Sequence, residues 1–337
     1  MMMDQTEPTD TTNYTMFNDI PTTGGASTSR PHCCSPVHRG ARMAAGRRVV
    51  CTGYSQKVVA NRAGQDEVYA NLDGVVVYDG HGAGRVIEKL RTLSPADVLS
   101  AQEPVKYLQS AVAEIPGPTY RDGSTVSLVR PGLDTSEPSL EAFILGDSAI
   151  RAYHGDQQIW HHEGHPCTDQ EFMLEAQRLG ATILSADRYV AVTGPDVIKD
   201  KHKAYLGLGI IPGTGRTERL AMTRALGHRR EVDGRIVDSI LRHDPTYHKI
   251  RLRPGDKEYR VVVATDGCWD MICKEDGPFI ADPTTTASMI VQLVEKRLKQ
   301  KWRYHAPCTP EPGPAEHVFN AAGNDDIGVA VWSGKCV

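Results

Sequence analysis

The 337-residue sequence has no apolar run near the roughly 18 residues that a bilayer-crossing helix requires. Runs such as Gly74-Val75-Val76-Val77-Tyr78 and Val261-Val262-Val263-Ala264 are far shorter, so no membrane span is expected. Net charge is also nearly lacking. The 42 acidic and 38 basic residues leave −4, too weak a field to recruit a polyanion, and nucleic acid is not expected as a partner. The eight cysteines (33, 34, 51, 167, 268, 273, 308 and 336) include no C-x-x-C pair, which argues against both a zinc site and a disulfide framework. A reducing compartment, cytoplasm or nucleus, is the simpler expectation. The first 28 residues carry eight threonines, four acids and no Lys or Arg, and they lack the apolar stretch of a secretory signal.

What is present is ordinary globular composition. Hydrophobic residues make up 40% and charged residues 24%, close to globular averages, so global disorder, collagen and coiled coil are unlikely outcomes of this chain. The acidic start gives way to a basic stretch with Arg30, Arg39, Arg42, Arg47 and Arg48, and regular apolar patterning begins only near Val49. Residues 1–48 therefore read as a disordered tail and 49–334 as a single domain. Two segments within it look like insertions: 196–219, polar with four glycines, and 302–316, with four prolines.

Short runs rich in Val, Ile and Tyr predict strands at Gly74–Tyr78, Thr125–Val129, Glu141–Leu145, Ile150–His154, Arg188–Val192, Tyr259–Thr265 and Ile327–Trp332. Helical periodicity marks Pro104–Ile115, Asp169–Leu179 and Thr286–Lys301, the last with Met289, Leu293 and Leu298 on one face. Thr168 and Glu171 have the spacing of a capping box. Helices and strands come in groups without strict alternation, which favours an α+β layered domain over a doubly wound sheet.

Acids recur where these strands end. Asp79-Gly80-His81-Gly82 follows one buried strand and Asp266-Gly267 another; Asn324-Asp325-Asp326 precedes a third, and Gln65-Asp66-Glu67 opens the fold. A lone Asp-Gly is a turn. Several carboxylates brought together would repel and resist ionisation unless divalent cations neutralised them. The candidate ligands are all oxygens, which favours Mg²⁺ or Mn²⁺ over Zn²⁺. Gly80-His81-Gly82-Ala83-Gly84 fits neither glycine-loop pattern of nucleotide-binding proteins.

At these residues the sequence resembles the metal-dependent serine/threonine protein phosphatases of the 2C type. Val77-Tyr78-Asp79-Gly80-His81-Gly82 is similar to the family's V-F-D-G-H-G, Gly123-Ser124-Thr125 to G-[ST]-T, and Gly146-Asp147-Ser148 to G-D-S. Thr223-Arg224-Ala225-Leu226-Gly227 resembles S-R-A-[LF]-G, Ala264-Thr265-Asp266-Gly267-Cys268-Trp269-Asp270 resembles A-S-D-G-[LIV]-W-D, and Asp325-Asp326-Ile327 resembles the final D-N-[IV]. The resemblance implies a four-layer αββα sandwich, two central, mainly antiparallel β-sheets flanked by helices. It implies hydrolysis of phosphoserine and phosphothreonine in proteins by a hydroxide that two Mn²⁺ or Mg²⁺ ions activate, in a monomer acting on phosphoprotein substrates. Carried over, the metal ligands are Asp66, Asp79, the Gly80 carbonyl, Asp266 and Asp325, with Asp147 sharing a third, looser ion with Asp266. His81 is the candidate general acid for the alkoxide leaving group.

The sequence departs from the pattern at four places. Asn61 stands where the family has its phosphate-holding arginine, leaving Arg62 as the candidate phosphate ligand. Ala149, His228 and Asp326 replace an Arg, an Asp and an Asn. Asn61 and His228 motivate an alternative, a catalytically weak pseudophosphatase that binds phosphoproteins or regulates, against which the intact acids argue. Trp269 is expected to pack in the core, as a Trp following a buried strand usually does.

Overall fold

A computed structural model describes residues 49–337 except 62, 135–136, 168–169, 185–189, 195–196, 201–204, 306–314 and 319–323. The expected tail, Arg62, Thr168 of the capping box, the start of the strand expected from Arg188 and much of the second insertion lie outside the described residues.

Two antiparallel sheets form the centre. One has strand order β1 (Val49–Val59), β21 (Ile327–Cys336), β18 (Tyr259–Ala264), β7 (Ala149–His154) and β8 (Gln157–His162). The other runs β14 (Leu226–Gly227), β4 (Gly123–Ser124), β3 (Gly74–His81), β5 (Val126–Pro131), β6 (Ser139–Leu145) and β17 (Thr246–Arg251), with β2 (Asp66–Asn71) also paired to β3.

Period-two alternation explains the layering. Val75 and Val77 of β3 face inward to meet Val261 and Val263 of β18, along with Ile144, Ile150, Ala330 and Trp332, all fully or almost fully buried. Val76 and Tyr78 face the other way, against α1 (Arg85–Arg91), α2 (Pro95–Ser100) and α3 (Pro104–Ala113) through Ile87, Leu90, Leu99 and Leu108. On the far side, Val262 and Ala264 of β18 and Val329 and Val331 of β21 bury α5 (Asp266–Trp269), α6 (Gly277–Ala281) and α7 (Ala287–Leu298). The central strands are apolar on both faces because each face is covered, and the result is helix, sheet, sheet, helix.

The helical face of α7 differs from the expected one. Ile290, Val291, Val294 and Leu298 line the core, while Met289 is 40% exposed. Thr286 caps this helix by accepting from the Met289 amide, and Met289, in the first turn, points away from the sheet.

The 196–219 segment has a core of its own. The strands β12 (Tyr205–Ile210), β13 (Thr217–Leu220) and β9 (Thr182–Leu184) form a small antiparallel sheet. Leu206, Leu208 and Leu220 pack with Cys167 and with Met173 and Ala176 of α4 (Gln170–Arg178). Smaller pairings join β10 (Val190–Thr193), β11 (Val197–Asp200), β19 (Lys301–His305) and β20 (Ala315–Val318), and β15 (Arg230–Val232) with β16 (Arg235–Val237). Among the described residues no helix is long and apolar enough to cross a membrane. Cys51, Cys268 and Cys273 are free thiols.

Candidate active site

The site forms where β2, β3, β18 and β21 end. Asp66 and Asp79 are direct cross-strand partners in the β2–β3 ladder, and cross-strand neighbours on one face stand about 5 Å apart at Cβ. Asp79 is fixed by its own backbone: its N–H donates to Thr125 Oγ1 at 3.1 Å and its carbonyl accepts from Thr125 N at 2.9 Å. Thr125 Oγ1 in turn lies 2.7 Å from Ser148 Oγ. Two of the short motifs thus serve as braces for the first aspartate.

The Asp266 turn reaches Asp325 because Gly267 carries no side chain. A Cβ at Gly267 would lie 2.0 Å from the Asp326 carbonyl oxygen and 3.1 Å from Asp325 Cβ. A hydroxyl supports the meeting point as well, since Thr265 Oγ1 accepts from the Gly328 amide at 2.9 Å.

The electrostatics record the convergence. Burial first, and then the charges of Asp66, Asp266, Asp147 and Asp325, hold the Asp79 carboxyl well above the usual carboxylate range. Asp66 is raised the same way: by burial, against an opposing hydrogen bond with Thr265, and then by Asp326, Asp266 and Asp325. Asp66, Asp147, Asp266 and Asp325 are therefore all within electrostatic reach of Asp79. They do not close into a cage; among the described residues no three His, Cys, Asp or Glu side chains are grouped tightly enough to hold a metal ion as they stand.

The residues nevertheless fit a hard divalent cation. The donors are all oxygens, and Asp66 Oδ2 is buried without a hydrogen-bond partner. Gly80 is packed tightly, its amide donating to the Gln65 carbonyl at 3.2 Å, and a Cβ there would come within 2.7 Å of that same oxygen.

Two departures from the expected pattern acquire structural roles. Asn61 Nδ2 donates to the Asp325 carbonyl at 2.8 Å, and the Asn61 and Gln65 amides donate to Asp326 Oδ1 and Oδ2 at 2.8 and 2.9 Å. Asn61 and Asp326 together tie the 61–65 segment to the loop that carries Asp325. Nothing in the sequence pattern signals this clamp, because its partners are more than 260 positions apart. Trp269 is buried as expected, its Nε1 donating to the Ala149 carbonyl at 3.0 Å.

His81 does not stand alone beside the aspartates. Its Nε2 lies 2.7 Å from His228 Nε2, with the rings stacked at 4.9 Å, and His228 Nδ1 lies 2.8 Å from Glu218 Oε1. Burial, and then the neighbouring His228, push His81 down to about 3, so its imidazole is neutral near pH 7. Gly123 makes room for the pair, since a Cβ there would sit 2.3 Å from His228 Nε2 and 2.7 Å from His81 Nε2. A cavity of about 240 Å³, lined in part by Gln109, Arg229, Asp238 and His243, includes none of the five aspartates.

No family model and no curated protein matches the sequence. Solved structures do. A serine-threonine phosphatase 2C from Toxoplasma gondii aligns at a TM-score of 0.51 with 14% identity, over 85% of this chain and 95% of that one. The PPM Ser-Thr phosphatase MsPP from Mycobacterium smegmatis, in complex with cacodylate, aligns at 0.48 with 14% identity, over 84% and 98%. A C. elegans sex determining protein aligns at 0.46 with 16% identity over 83% of this chain, which spans 64% of that chain's length. The Toxoplasma comparison carries the fold: antiparallel sheets flanked by helices in an α+β architecture.

Proposed function

We propose that this chain, which has the fold of the 2C-type serine/threonine phosphatases, is a metal-dependent protein phosphatase acting on phosphoserine and phosphothreonine. The observation that carries the reading is the meeting of Asp79 with Asp66, Asp266, Asp147 and Asp325 at one end of the sandwich. Asp66, Asp79, the Gly80 carbonyl, Asp266 and Asp325 would hold two ions, Mn²⁺ or Mg²⁺, and Asp147 with Asp266 a third, weaker one. When bound, such ions supply Lewis acidity toward water and the phosphoryl oxygens.

The protein's own groups do the rest. Thr125 and Ser148 keep Asp79 in place, and the Asn61–Asp326 clamp keeps the Asp325 loop against it. His81, next in chain to Gly80, is the proton donor to the departing serine or threonine oxygen. The incoming phosphate is anionic, and its charge favours protonation of a ring that burial otherwise keeps neutral. Arg62 is the phosphate ligand in this reading, because Asn61 is occupied by the Asp325 carbonyl. The free thiols suit a reducing compartment, cytoplasm or nucleus.

The test is release of inorganic phosphate from a phosphothreonine peptide with Mn²⁺ or Mg²⁺ and with chelator. The reading requires metal-dependent turnover that disappears in Asp79→Asn and Asp266→Asn. Tight peptide binding by the wild-type protein without release would instead support the binding-module alternative.

A further inference from the structure

An arginine-rich corner adjoins the carboxylate site at the Gly82 turn. Arg85 Nη1 donates to the Pro118 carbonyl at 2.8 Å, and its Nη2 donates to that of Pro116. Arg229 is buried beneath them and donates to the carbonyls of Ala113 at 2.9 Å, Ile115, and Gly117 at 3.3 Å, at and beyond the end of α3. Neutral carbonyls satisfy the hydrogens of a guanidinium without cancelling its charge. Arg230 lies 5.7 Å over the Tyr120 ring and 3.9 Å from Glu218. The acids of the corner are engaged as well: Glu218 Oε1 accepts from the Arg121 amide at 2.6 Å, and Asp122 accepts from the Arg85 and Val86 amides at 3.1 and 3.3 Å.

Arg121 is the member of this group whose charge is uncommitted. It is exposed, and among the described residues its guanidinium has neither an ion pair nor a hydrogen bond. Its backbone sits at φ of +56°, a left-handed conformation uncommon for a long side chain. Three contacts hold it there. The Arg121 amide is bound to Glu218, the Asp122 amide donates to the Thr119 carbonyl at 3.1 Å, and the Arg121 carbonyl presses on Gly82, where a Cβ would lie 1.6 Å from that oxygen. Glycine adopts this conformation without steric penalty, so the backbone alone gives no reason for an arginine. Strain that the surroundings over-determine in this way clusters at functional sites.

The turn also has a defined distance from the site. Gly82 is exposed and follows Gly80 by two residues, at most about 7 Å along the chain. An extended peptide advances about 3.4 Å per residue. A cation based at this turn therefore matches a group one or two residues from the phosphorylated one better than it matches the phosphate itself.

We propose that Arg121 is a specificity-determining residue: it receives the carboxylate of an acidic side chain one or two positions from the phosphoserine or phosphothreonine of the substrate. The uncancelled charges of Arg85 and Arg229 favour the same sign of partner. The proposal rests on the phosphatase reading and leaves the phosphate to Arg62. Because the pair forms at the surface, salt weakens it.

Two phosphothreonine peptides test it, one with glutamates at the positions flanking the phosphothreonine and one with glutamines there. Wild type should show KM about 3- to 5-fold lower for the glutamate peptide at similar kcat, a preference that fades as salt is raised. Arg121→Gly, which suits the backbone conformation, should abolish the preference by raising KM for the glutamate peptide alone, with a melting temperature close to that of wild type. Arg121→Glu should turn the preference toward a peptide with flanking arginines. A glutamate preference that survives Arg121→Gly, or equal losses on both peptides, overturns the proposal. Fluorescence anisotropy with the same peptides on the chelated full chain reads binding apart from turnover. Selective binding of the glutamate peptide, lost in Arg121→Gly, with no phosphate released under Mn²⁺ overturns the phosphatase reading and leaves the role of Arg121 standing; release without any preference between the peptides does the reverse.

Discussion

Asp66 and Asp79 face each other across the β2–β3 ladder, two carboxylates on adjacent antiparallel strands at the buried end of a sandwich. Such a pair is costly to keep unless something divalent is held between it and its neighbours, and burial makes the cost larger. The site is therefore expected to trade stability for function.

Asp79→Asn removes the charge that the other four aspartates oppose. In chelator-treated protein this variant should be more stable than wild type, by about 1 kcal/mol or more. Adding Mn²⁺ should raise the wild-type melting temperature and leave that of Asp79→Asn nearly unchanged. Differential scanning calorimetry with and without metal reads both effects.

Gly267→Ala places a methyl group where the Asp326 carbonyl oxygen is only 2.0 Å away. The contact is with backbone and cannot be relieved by a rotamer change, so a loss of about 2 kcal/mol is expected. Because the same turn carries Asp266, Mn²⁺ affinity should fall with it. An urea melt and a metal titration on the same variant check the pair of outcomes.

Asn61→Ala deletes the bond to the Asp325 carbonyl but keeps the backbone bond to Asp326. About 1 kcal/mol of stability should go, with metal affinity weakened more than peptide affinity. Arg62→Ala, by contrast, should raise KM for a phosphothreonine peptide at unchanged kcat. Unchanged kinetics in Arg62→Ala would reject its assignment to the phosphate.

Acid should destabilise the fold through buried histidines. His165 is fully buried, with Nδ1 3.1 Å from the Gly146 carbonyl and Nε2 2.8 Å from Thr246 Oγ1. Burial, and then the charges of Arg224 and His162, push it down to about 3 from an ordinary value of 6.5. The folded state thus binds fewer protons than the unfolded chain between those values. Its contribution is complete above pH 6.5 and is lost as pH falls toward 3, at about 1.4 kcal/mol per pH unit in that window. His165→Gln should flatten the pH dependence of the unfolding free energy between 6.5 and 4.

The central strands were readable because they are buried on both faces, so runs such as Val75–Tyr78 and Val261–Ala264 stand out as unbroken apolar segments. The aspartates were readable because each sits at a strand end, with Gly80 and Gly267 beside two of them. Other features left no local trace. The helices α1 and α2 are only seven and six residues long and follow turns without a sustained period. The partner of His81 lies 147 positions away and depends on a left-handed His228 that no spacing rule indicates. On α7 the face expected to hold Met289, Leu293 and Leu298 together is split, with Met289 exposed and Leu298 buried, because three apolar residues sampled from one helix do not define its face. Asn61 reads as a loss when compared with an arginine, and its actual role emerges only from the Asp325 carbonyl it holds.

The central claim concerns convergence of carboxylates on hard cations, and calorimetric titration of the full chain with Mn²⁺ tests it most directly. The account predicts binding of two ions per chain in the wild type, with at least one site abolished in Asp79→Asn and in Asp325→Asn. No binding, or binding that is indifferent to both substitutions, would contradict it.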